Sequence, residues 1–324
     1  MPSILNISDY SLTLRGSDGR PLPVLQGVNL EIGRGCCVGI AGESGSGKSV
    51  LALSVMGLLP QSSVVGRSGA IRFDDLDLLS LDEESFRGIR GRRMAMVFQE
   101  PMTAMNPLMT LFDQVGETVQ AHLPGATREE IRDRVIRSLQ RAGFADPARF
   151  ISSFPHQLSG GMRQRAMLAM ALVMEPELVI ADEPTTALDA ALQIQLLGEL
   201  RRQVRAGGSS MMFISHDLGV IRAVSDELVV MYAGVVVESG PTQDVMARPA
   251  HPYTAALIEA LPRLIIEKRL PRPIAGHLPA PDRKPAGCVF SDRCSKVQES
   301  CRQTLPEAIE LGTGRRVRCL FPNG

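Results

Sequence analysis

The 324-residue sequence has 35 Lys and Arg residues against 35 Asp and Glu residues, so no overall basic field marks it as a nucleic-acid-binding protein. Hydrophobic residues make up 44% and charged residues 22%, a composition that is ordinary for a soluble globular protein. No apolar run reaches the length of about 20 residues that a membrane-spanning helix needs, and the first five residues show neither the basic start nor the long apolar core expected of a signal peptide. We therefore expect a cytosolic protein whose role at a membrane is peripheral.

Apolar runs of different periods predict strands and helices that alternate along the chain. The predicted strands are 4–14, 24–32, 38–41, 70–73, 94–98, 178–181, 211–215, 228–232 and 235–238. The predicted helices are 50–56, part of 81–93, 128–142, 162–174 and 190–205, and a loop is expected at 60–69. The alternation favours a largely parallel sheet with helices on both faces, interrupted by a helical insertion between 102 and 154.

A phosphate-binding loop is predicted between the third strand and the first helix. Its residues are Gly42, Glu43, Ser44, Gly45, Ser46, Gly47, Lys48 and Ser49, which match the pattern G-x-x-x-x-G-K-[ST]. The glycines let successive N–H groups point at phosphate oxygens, and the following helix adds its partial positive charge. Lys48 is then expected to reach the β- and γ-phosphates, and Ser49 to ligate Mg²⁺. A Gly/Ser-rich loop that binds nothing is the alternative, which the strand-loop-helix context disfavours.

Four polar residues follow three of the apolar strands, where ligands of open α/β sheets bind: Gln99, Asp182 with Glu183 directly after it, and His216. We expect Asp182 to hold Mg²⁺, directly or through water, and Glu183 to orient or deprotonate an attacking water. Gln99 is expected to contact Mg²⁺ and water, and His216 the γ-phosphate. A lone histidine after a strand is more often structural than catalytic, so the ordered set carries the prediction rather than any one member.

The segment Leu158-Ser159-Gly160-Gly161, directly before a helix, resembles the signature motif of ABC-transporter ATPases. Together with the phosphate loop, Gln99, 178–183, 187–189 and His216, this resemblance covers residues 1 to about 245 in the family's order. It implies an α/β P-loop NTPase core with a helical subdomain and an N-terminal antiparallel β region. A Ser hydroxyl and two Gly amides at a helix N-terminus form a second anion site. The family's head-to-tail dimer implies that Ser159, Gly160 and Gly161 serve an ATP bound to the partner.

Two positions depart from the family's pattern. Met162 stands where the family often has Gln, and we expect a small effect because it follows the residues that contact phosphate. The family also places an aromatic residue near the end of the first strand to stack on adenine. Leu14 occupies that position, with Tyr10 on the same strand face, so the sequence specifies adenine stacking weakly.

Four further segments, 98–107, 215–220, 230–234 and 251–262, resemble the ATPases of dipeptide and oligopeptide importers. This resemblance implies an ATPase that powers import of peptides or related small solutes from the cytoplasmic face of the bacterial inner membrane, as a peripheral subunit. It also implies as partners two transmembrane permease subunits, a second and different ABC ATPase and, indirectly, an extracytoplasmic solute-binding protein. No nucleic-acid partner is expected.

The tail changes character near residue 248, because Pro becomes frequent and four of the six cysteines follow. We predict an ABC ATPase domain at 1–248, with a helical subdomain at about 100–165, and a C-terminal extension at 249–324. Cys288, Cys294, Cys301 and Cys319 match neither a zinc ribbon nor a ferredoxin run, yet clustered cytosolic cysteines are more often ligands than disulfides. Related importer subunits carry a similar set that can hold a [4Fe–4S] cluster; zinc and unligated thiols are the alternatives.

The sequence leaves other functions for the chain open. Nickel-chelate, glutathione and sugar importers use similar ATPases. A soluble, non-transport ABC ATPase of DNA repair or translation predicts long coiled-coil insertions or two tandem cassettes, and neither is present. A small-molecule kinase leaves Ser159, Gly160 and Gly161 unexplained.

Overall fold

A computed structural model describes residues 2–98, 105–184, 197, 198, 200–202, 204–261, 274–312 and 314–323. Its strands are β1 (Ser3–Arg15), β2 (Pro21–Gly33), β3 (Cys37–Ala41), β4 (Val64–Phe73), β5 (Leu76–Asp77), β6 (Met94–Val97), β7 (Leu178–Asp182), β8 (Ser210–Ile214), β9 (Glu227–Tyr232), β10 (Val235–Pro241), β11 (Ile309–Glu310) and β12 (Arg316–Val317). Its α-helices within those ranges include α1 (Lys48–Val55), α2 (Glu83–Ile89), α3 (Leu111–His122), α4 (Arg128–Arg141), α5 (Pro147–Phe150), α6 (Gly160–Leu172), α7 (Leu218–Val224), α8 (Thr242–Ala247), α9 (Pro252–Glu259) and α10 (Glu299–Gln303). The predicted α/β fold class is confirmed.

The chain divides into two compact units that are discontinuous in sequence. The first comprises Met1–Ile4, Gly33–Cys36 and Ser80–Met212, and the second comprises Leu5–Ile32, Cys37–Leu79 and Phe213–Gly324. The predicted boundary near residue 248 stays a prediction. Within the part of the chain that the structure describes, no helix has both the length and the hydropathy to cross a bilayer.

The first unit contains the helical insertion and a parallel strand pair. Helices α3 and α4 each begin with a capping box. The N-cap threonine hydroxyl accepts the backbone N–H of the residue three positions later, and the acidic side chain of that residue accepts the backbone N–H of the threonine. The apolar face of α4, with Ile131, Val135 and Leu139, is buried, as its 3.6-residue period predicts. The Ser138 hydroxyl donates to the Ala169 carbonyl at 2.7 Å and thereby ties α4 to α6.

The second unit contains an antiparallel sheet in the order β2-β1-β4-β5. The prediction of a loop at 60–69 is wrong beyond residue 63, because Val64 begins strand β4. This strand is antiparallel to β1, with Val64 opposite Leu14 and Phe73 opposite Leu5. The small and polar residues of this segment do not indicate a strand in the sequence. Its hydrogen bonds with β1 stabilise the strand. At Gly69, φ is +83° and a Cβ atom would lie 2.3 Å from the Asp9 carbonyl oxygen, so this close approach requires glycine.

The same unit contains most of a second sheet, in the order β11-β12-β10-β9-β3. Strands β3 and β9 are parallel, with Val38 opposite Glu227, whereas β9 and β10 form the predicted hairpin, which turns at Ala233 and Gly234. Both turn residues have positive φ, at 48° and 83°. A Cβ on Gly234 would lie 1.8 Å from the Val24 carbonyl oxygen, so the turn approaches β2 too closely for any side chain.

Buried charge ties the C-terminal segment to this sheet. Glu238 of β10 accepts hydrogen bonds from the backbone N–H groups of Ala250 and His251, both at 2.8 Å. Arg315 pairs with the same carboxylate at 3.0 Å, so the buried negative charge is compensated. Lys284 donates to the Pro23 carbonyl at 2.6 Å, and its burial lowers the Lys284 pKa to about 8. The residues after 248 are therefore packed onto β10 and β2.

Candidate functional site

The predicted phosphate loop lies where the sequence places it, between β3 and α1 in the second unit. Gly42 has φ +152°, and a Cβ there would lie 2.2 Å from the Met231 carbonyl oxygen. Gly47 has φ +100°, and a Cβ there would lie 2.8 Å from Leu25. The Gly234 N–H donates to the Ser46 carbonyl at 2.9 Å. The two glycines therefore let the loop approach Met231 and Leu25 closely, and the hydrogen bond from the hairpin turn holds it there.

Lys48 folds back over the loop that precedes it. Its ammonium donates to the Gly42 carbonyl at 2.8 Å and to the Glu43 carbonyl at 2.9 Å, and it contacts the Ser46 hydroxyl at 3.3 Å. Only 5% of Lys48 is exposed, so its charge sits inside the concavity of the loop. Ser49 is exposed at the first turn of α1, where its hydroxyl is open to a ligand.

His216 lies at the same sheet edge as the phosphate loop. Strand β8 runs parallel to β3, because the Met211 N–H donates to the Cys36 carbonyl and the Ser215 N–H donates to the Ile40 carbonyl. Both strands therefore end at one edge, where β3 leads into the loop and β8 leads into His216. His216 is exposed, and Asp217 directly after it caps α7 by accepting the Gly219 N–H at 2.7 Å.

Asp182 and Glu183 end strand β7 in the first unit. All five residues of β7 are buried, and the strand is parallel to β6, with Leu178 opposite Met94. Asp182 is itself buried, whereas Glu183 has φ +46° and is half-buried. A left-handed residue breaks the alternation of a strand, so the Glu183 side chain leaves the direction that strand geometry dictates. The strand-end turn on which its predicted role depends is present.

The signature segment forms an open helix N-terminus in the same unit. Ser159 is the N-cap of α6, and its hydroxyl accepts the Met162 N–H at 3.3 Å. Ser159 and Gly160 are exposed, so the amides of the first turn are accessible from outside. Gln164, buried one turn later, donates to the Pro184 carbonyl, which links this helix to the turn after Glu183. The unit therefore joins the signature helix to the Asp182–Glu183 strand end.

Several predicted residues fall outside the described ranges. They are Gln99, the segment 101–104 and the segment 187–189. Their assigned roles stay predictions.

Tyr10 is unable to stack on adenine. Only 1% of this residue is exposed, and its hydroxyl hydrogen-bonds with Ser54 inside the second unit. Burial raises the Tyr10 pKa, as expected for a phenol in the core. Leu14 is half-buried and has no ring to stack, so neither residue is the aromatic that the sequence left unidentified.

Sequence reasoning missed the partners of Glu43, the second residue of the loop. Its carboxylate accepts two hydrogen bonds from Arg293, at 2.8 and 3.0 Å, and its backbone N–H donates to the Tyr253 hydroxyl at 2.9 Å. Arg293 and Glu43 are 250 residues apart in sequence, and no local pattern joins them. The 251–262 segment was recognised only through its family resemblance, which gave Tyr253 no role.

The four tail cysteines line one small cavity in the second unit. Cys288, Cys294, Cys301 and Cys319 share it with His251, and its volume is about 20 Å³. Burial raises the pKa of Cys288 to about 11, with a smaller contribution from the neighbouring cysteines, and it also raises those of Cys294 and Cys319. The thiols of Cys288, Cys294 and Cys319 are therefore expected to stay protonated near neutral pH until a cation displaces their protons.

This cavity does not fit the predicted iron–sulfur cluster as it stands. A space of about 20 Å³ holds roughly one water-sized sphere, which is less than a cube of four irons and four sulfides requires. In the described ranges, no group of three or more His, Cys, Asp or Glu side chains is arranged to hold a metal ion. The structure brings the four thiols to one place but gives the [4Fe–4S] prediction no support.

Two family models match the sequence. The model described as ABC transporter matches residues 25–186. The model described as Oligopeptide/dipeptide transporter, C-terminal region, matches residues 237–301. The second match begins at the strand that carries Glu238 and includes Tyr253, Arg293 and three of the tail cysteines.

Curated relatives match nearly the whole chain. The oligopeptide transport ATP-binding protein AppD of Bacillus subtilis (strain 168) is 41% identical over 301 residues, which cover 93% of this chain and 92% of that protein. The probable D,D-dipeptide transport ATP-binding protein DdpD of Escherichia coli (strain K12) is 42% identical over 320 residues, covering 98% and 97%. Among solved structures, a dimeric post-hydrolysis state of the ATP-binding cassette MJ0796 bound to ADP and Pi is 28% identical, with a TM-score of 0.65, covering 74% of this chain and 98% of that one.

Proposed function

Because this chain belongs to the ABC transporter family of ATP-binding subunits and carries the C-terminal region of oligopeptide/dipeptide transporters, we propose that it is the ATPase subunit of a peptide importer. The observation that carries this proposal is one chain that joins both regions and matches peptide-transport ATPases over nearly its full length. The C-terminal region also disfavours a soluble repair or translation ATPase. The names of the curated relatives favour peptides over nickel chelates, glutathione or sugars as the solute.

We assign the nucleotide site as follows. Lys48 and the amides of the phosphate loop hold the phosphates of ATP, since the ammonium already lies within the loop. Ser49 and Asp182, with Gln99 as a third candidate ligand, would hold the Mg²⁺ expected throughout this family, and the ion would supply positive charge to the phosphates. Glu183 orients or deprotonates the attacking water, and His216 contacts the γ-phosphate from the adjoining strand end.

The signature segment is assigned to a nucleotide on a second ATPase. The phosphate loop serves the nucleotide of its own chain, so the exposed N-terminus of α6 is available to a partner's phosphates. Ser159, Gly160 and Gly161 therefore complete a site only when two ATPases meet head to tail. The isolated chain is expected to hydrolyse ATP slowly for this reason.

The complex purified through a tag on this chain is expected to contain two permease subunits and a second, different ATPase. Membranes solubilised in mild detergent, affinity purification and mass spectrometry give its composition, and ATP turnover is compared with that of the isolated chain. We place the chain at the cytoplasmic face of the inner membrane as a peripheral subunit, with a solute-binding protein as an indirect partner. Two copies of this chain without a second ATPase contradict the heterodimer, and a complex without any permease contradicts the importer.

We also propose that the four tail thiols form one metal-binding site, because they line a single cavity in a Pro-rich segment. A [4Fe–4S] cluster requires this cavity to expand, whereas a single zinc ion requires less movement.

Metal analysis of anaerobically purified protein decides this proposal. A cluster predicts about four irons per chain and broad absorbance that Cys301→Ser removes, with the nucleotide fold left intact. One zinc per chain, lost in the same variant, selects the zinc alternative. Full-length protein with no metal and four titratable thiols contradicts the site, and Cys36→Ser is the control for loss of a thiol outside the cavity.

A further inference from the structure

The carboxylate of Glu43 stands inside a loop that is built to hold anions. An unpaired negative charge at this position would repel the phosphates of a nucleotide. The carboxylate is instead bound by both terminal nitrogens of Arg293, at 2.8 and 3.0 Å. This two-point geometry fixes the orientation of the carboxylate as well as compensating its charge.

Arg293 has no spare hydrogen-bonding capacity, and only 6% of its side chain is exposed. A guanidinium has five N–H groups, and two of them bind Glu43. The others donate to the Ala275 carbonyl at 2.8 Å, the Tyr232 hydroxyl at 3.2 Å and the Ile274 carbonyl at 3.3 Å. Since every donor is used, the guanidinium is held in one place by the tail and by β9.

Tyr253 fixes the backbone of the same loop residue. Its hydroxyl accepts the Glu43 N–H at 2.9 Å. Its ring packs against those of Tyr232, with centroids 4.6 Å apart, and Phe290, with centroids 5.3 Å apart. Burial raises the Tyr253 pKa, so the hydroxyl stays protonated near neutral pH. The backbone N–H of Glu43 is therefore hydrogen-bonded to a residue of the C-terminal region.

The segment between these two contacts also approaches the loop. A Cβ atom on Gly45 would lie 3.3 Å from Leu278, and one on Gly276 would lie 3.3 Å from the Cγ of Arg293. Residues 274–278 thus run from the guanidinium to the middle of the loop. Residues beyond 248 therefore contact the loop in three ways: through a side-chain ion pair, a hydrogen bond to the backbone and packing.

We infer that Arg293 and Tyr253 are positioning residues of the phosphate loop, through which the C-terminal region sets the affinity of this subunit for a nucleoside triphosphate. The inference rests on the proposed nucleotide-binding role of the loop. Arg293 compensates the negative charge of Glu43, which would otherwise repel the phosphates. Tyr253 holds the backbone of the same residue, the second of the loop. A loop held in its binding conformation loses less entropy when the nucleotide binds.

The test measures MgATP binding to the purified full-length chain, and KM and kcat of the intact complex. Arg293→Met keeps an apolar side chain but removes the guanidinium, and we expect it to raise Kd and KM about tenfold with little change in kcat. Adding Glu43→Gln removes the charge that Arg293 compensates, so the double variant is expected to bind ATP more tightly than Arg293→Met alone. A residue that only stabilised the fold would give no such recovery.

A second variant and two controls separate the outcomes. Tyr253→Phe keeps the ring packing and is expected to raise Kd about fivefold, the effect of one lost hydrogen bond. Arg302→Met removes a tail arginine whose partner is the exposed Asp292, and its ATP affinity should match that of the wild type. Unchanged Kd in folded Arg293→Met and Tyr253→Phe proteins overturns the inference. If Lys48→Ala also binds ATP normally, the proposed nucleotide site itself fails.

Discussion

Glu183→Gln is expected to leave ATP binding intact and to slow hydrolysis by on the order of 10² to 10⁴, the usual range for a lost general base. The amide matches the carboxylate in size, so packing at the end of β7 is preserved. It cannot accept the proton of the attacking water, and that is the step the variant removes. Steady-state turnover of the intact complex, with MgATP affinity measured in parallel, tests this prediction.

The expected separation of binding from turnover follows from where Glu183 lies. The residue before it, Asp182, ends the buried strand and is the candidate Mg²⁺ ligand, so the metal contact survives the substitution. The positive φ of Glu183 takes its side chain out of the alternating pattern of the strand, so the second carboxylate can have a role of its own beside the candidate Mg²⁺ ligand.

Glu175→Gln is the matched control for this variant. Glu175 lies in the same unit, has φ +53° and forms an exposed ion pair with Arg141. It shares the residue type and the backbone conformation of Glu183 but ends no strand, so its turnover should equal that of the wild type. Near-normal hydrolysis in Glu183→Gln, or an equal loss in Glu175→Gln, refutes the assigned role.

Lys48→Ala is expected to abolish measurable ATP binding under ordinary assay conditions, with an affinity loss of roughly 100-fold or more. The buried ammonium lies within hydrogen-bonding distance of the Gly42 and Glu43 carbonyls. Removing it takes away a buried cation from the phosphates and leaves those carbonyls without this donor. Equilibrium binding of a fluorescent ATP analogue to the full-length chain measures the loss.

Lys296→Ala serves as its control, since Lys296 is an exposed lysine of the tail that bonds Asn323. Its ATP affinity should be unchanged. A melting temperature close to that of the wild type shows that the Lys48→Ala protein is folded. A folded Lys48→Ala protein that binds ATP with wild-type affinity contradicts the assignment of the loop.

Local sequence signals were sufficient for much of the fold and for part of the candidate site. The phosphate loop, the buried strands β3 and β7 and the hairpin turn at Ala233 and Gly234 lie where the patterns place them. The loop follows from a contiguous motif, the strands from apolar runs, and the turn from residues that tolerate positive φ. The segment 64–69 was misassigned because its Gly and Ser residues form a strand only when β1 supplies hydrogen-bonding partners.

By itself, then, the sequence determined the features that contiguous residues encode: the phosphate loop, the signature segment before α6 and the carboxylates that end β7. Tertiary structure alone decided that Glu43 is bound by Arg293 and Tyr253, that Tyr10 is buried away from any adenine, and that four cysteines line a cavity of about 20 Å³. The physical reason is that side-chain pairing and cavity size depend on which distant segments the fold brings together. The contact between Glu43 and Arg293 spans 250 residues and leaves no periodic trace in either segment.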